Sequence, residues 1–310
     1  MGARGGDGPA IRTEGLSKRY GEVWALAELD LEVARGEVVG VLGPNGAGKT
    51  TTIRLLLGLA QPTAGRAEIF GVDCQRRPVE AHRRVASVPG EANLWPGLTG
   101  AETLHLLGRV HGRVDEAYRD ELIGRFALDP SRKVRAYSRG NRQKVLLIGA
   151  LQTRADVLVL DEPTSGLDPL MELAFRTAVR EARDRGQSVF LSSHILSEVE
   201  ALCDRVAILR AGRLIESGTL RAMRHLSAVT VEVTFSGSVP DVSGVAGVDA
   251  VVVDGQVLRC QVRGPIDPLL GVLAHAGVTR LLSREPSLEE LFLALYGRHD
   301  DGAGAPDVDR

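Results

Sequence analysis

The sequence predicts an α/β protein, a parallel sheet covered by helices, followed by a small α+β module. Three observations carry that reading. A glycine-rich segment, Gly43-Pro44-Asn45-Gly46-Ala47-Gly48-Lys49-Thr50-Thr51, lies between a strand-like run (Val38-Val39-Gly40-Val41-Leu42) and a helix-like run from Ile53 to Ala60. Strand and helix patterns then alternate from Val157 to Leu209, which a parallel sheet with helical crossovers satisfies. Near residue 225 the alternation gives way to β-rich runs and a hairpin turn.

The elements follow in order. Residues 1–9 are Gly-rich and polar and read as a flexible start, and residues 299–310 as a disordered tail. From Ile11 to about Phe70 the pattern is strand-rich, with Leu29-Asp30-Leu31-Glu32-Val33 alternating. Between Thr99 and Leu151 the period becomes helical, as in Thr103-Leu104-His105-Leu106-Leu107 and Glu121-Leu122-Ile123. Strands are expected at Val157 to Leu160 and Ser188 to Leu191, and helices at Glu172 to Arg185 and Ile195 to Cys203. Val206 to Leu209 runs into a tight turn at Arg210-Ala211-Gly212-Arg213. Beyond it come strands at Val229 to Phe235 and Ala250 to Val253, a turn at Asp254-Gly255, and a strand at Val257 to Val262. Helices are expected at Pro268 to Ala276 and Ser287 to Tyr296.

The bulk numbers bound the function. At 310 residues the chain holds one large domain and a small one. A net charge of −2 gives no electrostatic argument for nucleic acid, and none is expected as a partner. No apolar run approaches the roughly 18 residues of a membrane helix, and no signal peptide is evident, so work at a membrane would go through a partner. Cys74, Cys203 and Cys260 have no metal-ligand spacing and read as reduced thiols of a cytosolic protein.

The glycine-rich segment has the form G-x-x-x-x-G-K-T, and its strand-loop-helix setting makes the core a P-loop NTPase. Its glycines let the backbone curl around an anion, and the following helix adds its positive end. Lys49 reaches the outer phosphates. It is one of four lysines among 38 basic residues, and the planar fork of arginine, this chain's usual cation, would not replace a point charge there. A P-loop alone covers kinases, GTPases, helicases and motors. A second motif narrows the choice: Val157-Leu158-Val159-Leu160 is a continuous apolar run ending in Asp161-Glu162. Asp161 is placed to support Mg²⁺ together with Thr50, and Glu162 to polarise an attacking water.

With Leu160-Asp161-Glu162-Pro163-Thr164-Ser165-Gly166-Leu167-Asp168 after this loop, residues 11 to 225 resemble the ATP-binding subunit of an ABC transporter. The resemblance implies a P-loop NTPase core at 10–225, with a parallel sheet, an antiparallel β-subdomain and a helical subdomain at about 97–151. An accessory α+β domain at 226–298 follows. It implies ATP and Mg²⁺ as ligands, with Tyr20 stacking on adenine and His194 acting beside the γ-phosphate. Tyr137-Ser138-Arg139-Gly140-Asn141 resembles the family signature, whose Ser138 and Gly140 would complete the ATP site of a second nucleotide-binding domain. Asp168 would lie in the loop that crosses between the two. Two such domains, expected to be a homodimer, would sit beneath a transmembrane permease on the cytoplasmic side of the membrane as peripheral subunits.

Two departures stand out. Gly90 occupies the family's glutamine position, for which Glu91 or a water is expected to substitute, and Arg139 replaces the first signature glycine. Trp95, in a Pro/Gly-rich loop, reads as a surface aromatic contacting the membrane partner, with a local core anchor as the alternative. The C-terminal end, with Leu288, Leu291 and Phe292 on one face, resembles ATPases of exporters for antibiotics and other drugs. The resemblance therefore implies export of a small drug-like molecule. A soluble non-transport ABC ATPase, an importer and a lipid exporter remain the alternatives at this point.

Overall fold

The computed structural model describes residues 8–225, 228–284 and 289–290. Nearly all of the expected helix from Ser287 to Tyr296, the face built on Leu288, Leu291 and Phe292, residues 1–7 and the tail lie outside the described residues. The chain divides into two compact units, 1–217 and 218–310.

The first unit opens with the hairpin β1 (Ile11–Tyr20) and β2 (Val23–Val33), turned at Gly21 with φ of 57°. Next come β3 (Val38–Leu42), buried at every residue, and α1 (Lys49–Leu56), which starts inside the glycine-rich motif. After β4 (Ala64–Ile69) and β5 (Val72–Asp73), the short helix α2 (Pro78–His82) leads to β6 (Val85–Val88). Strands β2-β1-β4-β5 form an antiparallel sheet.

Helices α3 (Gly100–His111), α4 (Glu116–Arg125) and α5 (Arg139–Leu151) follow. The start of α3 is fixed by a capping box in which Thr99 accepts from the Glu102 N–H and Glu102 from the Thr99 N–H. Its end is fixed by Gly112 in the left-handed region.

Strand–helix alternation then appears in full: β7 (Val157–Asp161), α6 (Pro169–Asp184), β8 (Ser188–Ser193), α7 (Leu196–Leu202) and β9 (Arg205–Arg210). A turn at Ala211-Gly212 leads to β10 (Arg213–Thr219). The sheet order is β10-β9-β3-β8-β7-β6, and the pairs among β9, β3, β8, β7 and β6 are parallel. Strands β7 and β8 are buried at every residue, as covering on both faces requires. The order sets β8 between β3 and β7, with Leu42 opposite Ser193 and Asp161 opposite Ser192. Loops leaving these neighbouring strand ends therefore converge, as ligand-binding loops do at the carboxyl edge of parallel sheets.

The second unit holds α8 (Leu220–His225), β11 (Val229–Phe235), β12 (Val248–Asp254), β13 (Val257–Val262), α9 (Asp267–Leu273) and β14 (Val278–Arg284). Its sheet, β12-β13-β11-β14, is antiparallel. Val231, Val233, Phe235, Leu258, Cys260, Val262, Leu269 and Leu273 form its core. The hairpin turn falls on Gly255-Gln256, one residue later than the sequence suggests, with Gly255 at φ of 57°. Strand β14 has no counterpart among the expected elements: all its residues are exposed, so it carries no alternation to read. Cys74, Cys203 and Cys260 are free and buried.

Among the described residues no helix is long and apolar enough to cross a membrane.

Candidate functional site

The glycine-rich loop is shaped by contacts that admit no side chain. A Cβ on Gly43 would lie 2.5 Å from the Leu209 carbonyl oxygen, and one on Gly48, at φ of 108°, 2.7 Å from that of Ala25. The loop thus packs tightly on β9 and β2 while its other side stays open. Tyr20, Ala25, Pro44, Asn45, Gly46, Ala47, Gly48, Lys49, Thr50, Thr51 and Glu162 line a cavity of about 280 Å³. Tyr20 is 48% exposed at the end of β1, with the Lys18 ammonium 4.8 Å from its ring centre.

Lys49 is buried under the loop. Its Nζ donates to the carbonyls of Gly43 at 2.7 Å and Pro44 at 3.2 Å, and lies 3.6 Å from Glu162 Oε1. The same oxygen is 3.3 Å from His194 Nδ1. Glu162 reaches this place because β7 ends with a sharp turn in which its φ is 46°, a costly conformation for a residue with a side chain. Its N–H is held by Ser192, through the carbonyl at 3.2 Å and Oγ at 3.0 Å.

Asp161 is buried beside it, accepting from Ser192 Oγ at 2.6 Å and from Thr50 Oγ1 at 3.3 Å. One hydroxyl and one carboxylate are hard oxygen donors of the kind that hold Mg²⁺ when phosphates supply further ligands. Among the described residues no group of three or more His, Cys, Asp or Glu side chains could hold a metal ion alone.

Gly90 fills the place against Asp161: a Cβ there would come within 3.2 Å of Oδ2. Glu91 instead accepts from Asn93 Nδ2 at 3.5 Å and shares a cavity of about 400 Å³ with Tyr137, Arg139 and Arg142.

The signature residues form a second cluster. Ser138 caps α5, accepting from Asn141 N–H, and Asp168 caps α6, accepting from Leu170 and Met171 N–H. Arg139 Nη2 donates to Ser165 Oγ at 2.8 Å, and Gln143 Nε2 to the Pro163 carbonyl at 2.9 Å. A Cβ on Gly140 would lie 2.5 Å from the Gly166 carbonyl oxygen. Ser138, Gly140 and Asp168 are not among the residues lining the cavity at the glycine-rich loop.

Trp95 is 53% exposed and so is no core anchor. A separate cavity of about 550 Å³ runs between β6, α3 and α5, where Val85, Leu107, Val110, Leu146 and Ala150 contribute apolar surface.

Sequence reasoning missed Ser192, which fixes both Asp161 and Glu162. Its only sequence signal is a pair of hydroxyl residues, Ser192-Ser193, at the end of an otherwise apolar strand just before His194.

Comparison with known proteins places the chain in a family. Residues 26–165 match the ABC transporter family model. The chain is 40% identical over 304 residues to the daunorubicin resistance ATP-binding protein DrrA3 of Streptomyces coeruleorubidus, covering 93% of this chain and 96% of that one. It is 34% identical over 307 residues to the Nod factor export ATP-binding protein I of Ralstonia nicotianae, covering 94% and 95%. A solved ATP-binding subunit of an ABC transporter superposes with a TM-score of 0.65 at 33% identity, over 69% of this chain and 92% of that one. The dimeric structure of a bacterial ABC transporter cassette, at 23% identity, shares the fold with a TM-score of 0.63 over 68% and 99%.

Proposed function

The chain belongs to the ABC transporter family as an ATP-binding subunit, and from that premise we propose that its ATP hydrolysis powers export of a drug-like or antibiotic-like molecule through a separately encoded permease. The α/β P-loop fold and the family carry the ATPase activity. The direction and class of cargo rest on the daunorubicin resistance and Nod factor export relatives.

The observation that carries the mechanism is the position of Glu162 Oε1, 3.6 Å from Lys49 Nζ and 3.3 Å from His194 Nδ1 at the mouth of the phosphate loop. In this reading adenine stacks on Tyr20 and the phosphates lie along residues 43–51, drawing the Lys49 ammonium from the Gly43 and Pro44 carbonyls. Thr50 Oγ1 and Asp161 would hold Mg²⁺, whose chemistry when bound is to neutralise charge on the phosphate oxygens. Glu162 orients a water whose oxygen attacks the γ-phosphorus. The carboxylate takes its proton as the bond to the ADP oxygen breaks. His194 steadies the γ-phosphate oxygens. Gly90 brings no side chain to Asp161 and Glu91 accepts from Asn93 instead, so of the two expected substitutes, Glu91 or a water, this reading takes the water.

Ser138 and Gly140, at the N-terminus of α5, fit the trans half of such a site, where helix N–H groups meet phosphate. Two copies of this chain, paired head to tail with Asp168 near the crossing, would enclose two ATP molecules. The pair works at the cytoplasmic side of the membrane. The apolar cavity between β6, α3 and α5 suits a cytoplasmic helix of the permease, and exposed Trp95 suits the same contact.

The test is efflux from cells making this chain with its permease. Lys49→Ala should abolish both ATP hydrolysis and drug efflux, and efflux persisting in that variant would refute the reading.

A further inference from the structure

A separate opening lies at the edge of the six-stranded sheet opposite the phosphate loop. Residues 43–51, Glu162 and His194 follow the carboxyl ends of β3, β7 and β8. Arg84, Asp156 and Ser188 stand instead at the amino ends of β6, β7 and β8, and Arg35 shortly before β3. At about 3.3 Å per residue, the length of β7 separates the two edges by roughly 16 Å. Here Arg35, Arg84, Arg154 and Arg185 line one cavity of about 530 Å³, with Asp156 as the lining acid. In a chain of net charge −2, that is a concentrated positive field.

Two aromatic rings organise the four guanidinium groups. Arg84 Cζ lies 3.5 Å and Arg35 Cζ 5.0 Å from the centre of the Phe70 ring. Arg154 and Arg185 each lie 4.8 Å from the centre of the buried Tyr118 ring. Stacking uses the flat face of a guanidinium group and leaves its N–H edge for acceptors in the plane. Arg84 Nε donates to Asp156 Oδ2 at 2.7 Å, and Arg154 Nε lies 2.7 Å from Asp115 Oδ2. Arg185 Nη2 donates to Gln187 Oε1 and Tyr118 Oη, and Arg35 Nε to the Gly8 carbonyl. Among the described residues Arg84 makes no hydrogen bond through its Nη groups.

Phe70 holds its place against local preference. With Gly71 it forms the two-residue turn between β4 and β5, at φ of 49° and 75°. Turns of that kind favour Asn, Asp or Gly at the first position, and a bulky side chain at positive φ is strained. The chain thus keeps an aromatic ring under Arg84 and Arg35 where a small polar residue would sit more easily.

We propose that this arginine-walled cavity binds a phosphate compound carrying two or more negative charges, at a site distinct from the nucleotide loop. Guanidinium groups offer paired N–H donors that match phosphate oxygens, and a bound anion offsets their mutual repulsion. A soluble polyphosphate and an acidic lipid headgroup share this chemistry. The site does not depend on the hydrolysis reading above.

Inorganic tripolyphosphate is the probe, titrated calorimetrically into the full chain saturated with MgADP at about 150 mM salt, where distant charges are screened. Binding should saturate near one equivalent per chain. Arg84→Gln combined with Arg185→Gln should weaken it at least tenfold, as loss of charge-assisted bonds implies, whereas Lys49→Ala should leave it within about twofold. If the glutamine variant does not fold, Arg84→Lys with Arg185→Lys keeps the charge but not the planar fork, and should weaken binding at least threefold. Phosphatidylcholine vesicles with and without phosphatidic acid identify the source of the phosphate. Sedimentation with the acidic vesicles that the glutamine variant loses assigns the site to a lipid headgroup. Tripolyphosphate binding without such sedimentation assigns it to a soluble phosphate compound. No saturable tripolyphosphate binding, binding unchanged in the arginine variants, or binding abolished by Lys49→Ala would overturn the proposal.

Discussion

Glu162 has a left-handed backbone, and that conformation is what lets one carboxylate oxygen meet both Lys49 and His194. Glu162→Gln keeps the shape and the Ser192 bonds to the backbone but removes the proposed base. Steady-state hydrolysis should fall about 10²–10⁴-fold, as loss of general-base help implies, with nucleotide affinity retained; equal loss of both would point to a binding role. At Gly90, a side chain carrying charge would face Asp161 Oδ2 across the 3.2 Å that a Cβ would leave. Gly90→Glu should weaken Mg²⁺-dependent activity at least tenfold, and Gly90→Ala much less, read as kcat against Mg²⁺ concentration. Glu198 adds a pH signature. Burial raises its folded-state pKa above the ordinary 4.5, so its contribution to stability is complete below 4.5 and is lost as pH rises through the folded value. In urea unfolding, Glu198→Gln should gain on the wild type from pH 4.5 upward and then level off; parallel pH curves would contradict a raised pKa. At this scale Lys49, Asp161 and Glu162 were legible because each stands at a fixed offset from a strand end. Ser192 and Glu198 were not, because a buried hydroxyl or carboxyl declares its partners only when distant segments meet.

The start of α5 is locked to the loop at residues 163–166 by three features: the Arg139 bond to Ser165, the Gln143 bond to Pro163, and the close pass of Gly140 over the Gly166 carbonyl. Arginine in the signature therefore has a place within its own chain. Because the bond is exposed, Arg139→Ala should change stability by less than about 1 kcal/mol. Gly140→Ala is a harsher change, since a backbone oxygen stands 2.5 Å from the new Cβ. It should cost about 1–3 kcal/mol by forced displacement of the helix, measured by chemical denaturation, and an unchanged midpoint would show that the helix start is loosely held. Helices and buried strands here were readable from periodicity. Strand β14 was not, because an exposed strand has no buried face to mark its period.

At the scale of the molecule, the glycine-rich loop, Asp161, Glu162 and His194 all belong to the unit 1–217. Calorimetry of the full chain should therefore show MgATP raising the transition of that unit, by about 2.7 kcal/mol at a hundredfold excess over Kd, while the transition of 218–310 stays in place. The family and the α/β core could be read from motif order along the sequence. The place where the chain divides could not, because β10 (Arg213–Thr219) runs across it with no break in pattern. In the proposed function ATP closes two copies of this chain around shared sites, each formed by the phosphate loop of one and Ser138 and Gly140 of the other. Light scattering of Glu162→Gln on a sizing column, with and without MgATP, tests it most directly. The protein should be a monomer that becomes a dimer only with MgATP, and should revert to monomer when Ser138→Arg is added. A monomer that persists at saturating MgATP would contradict it.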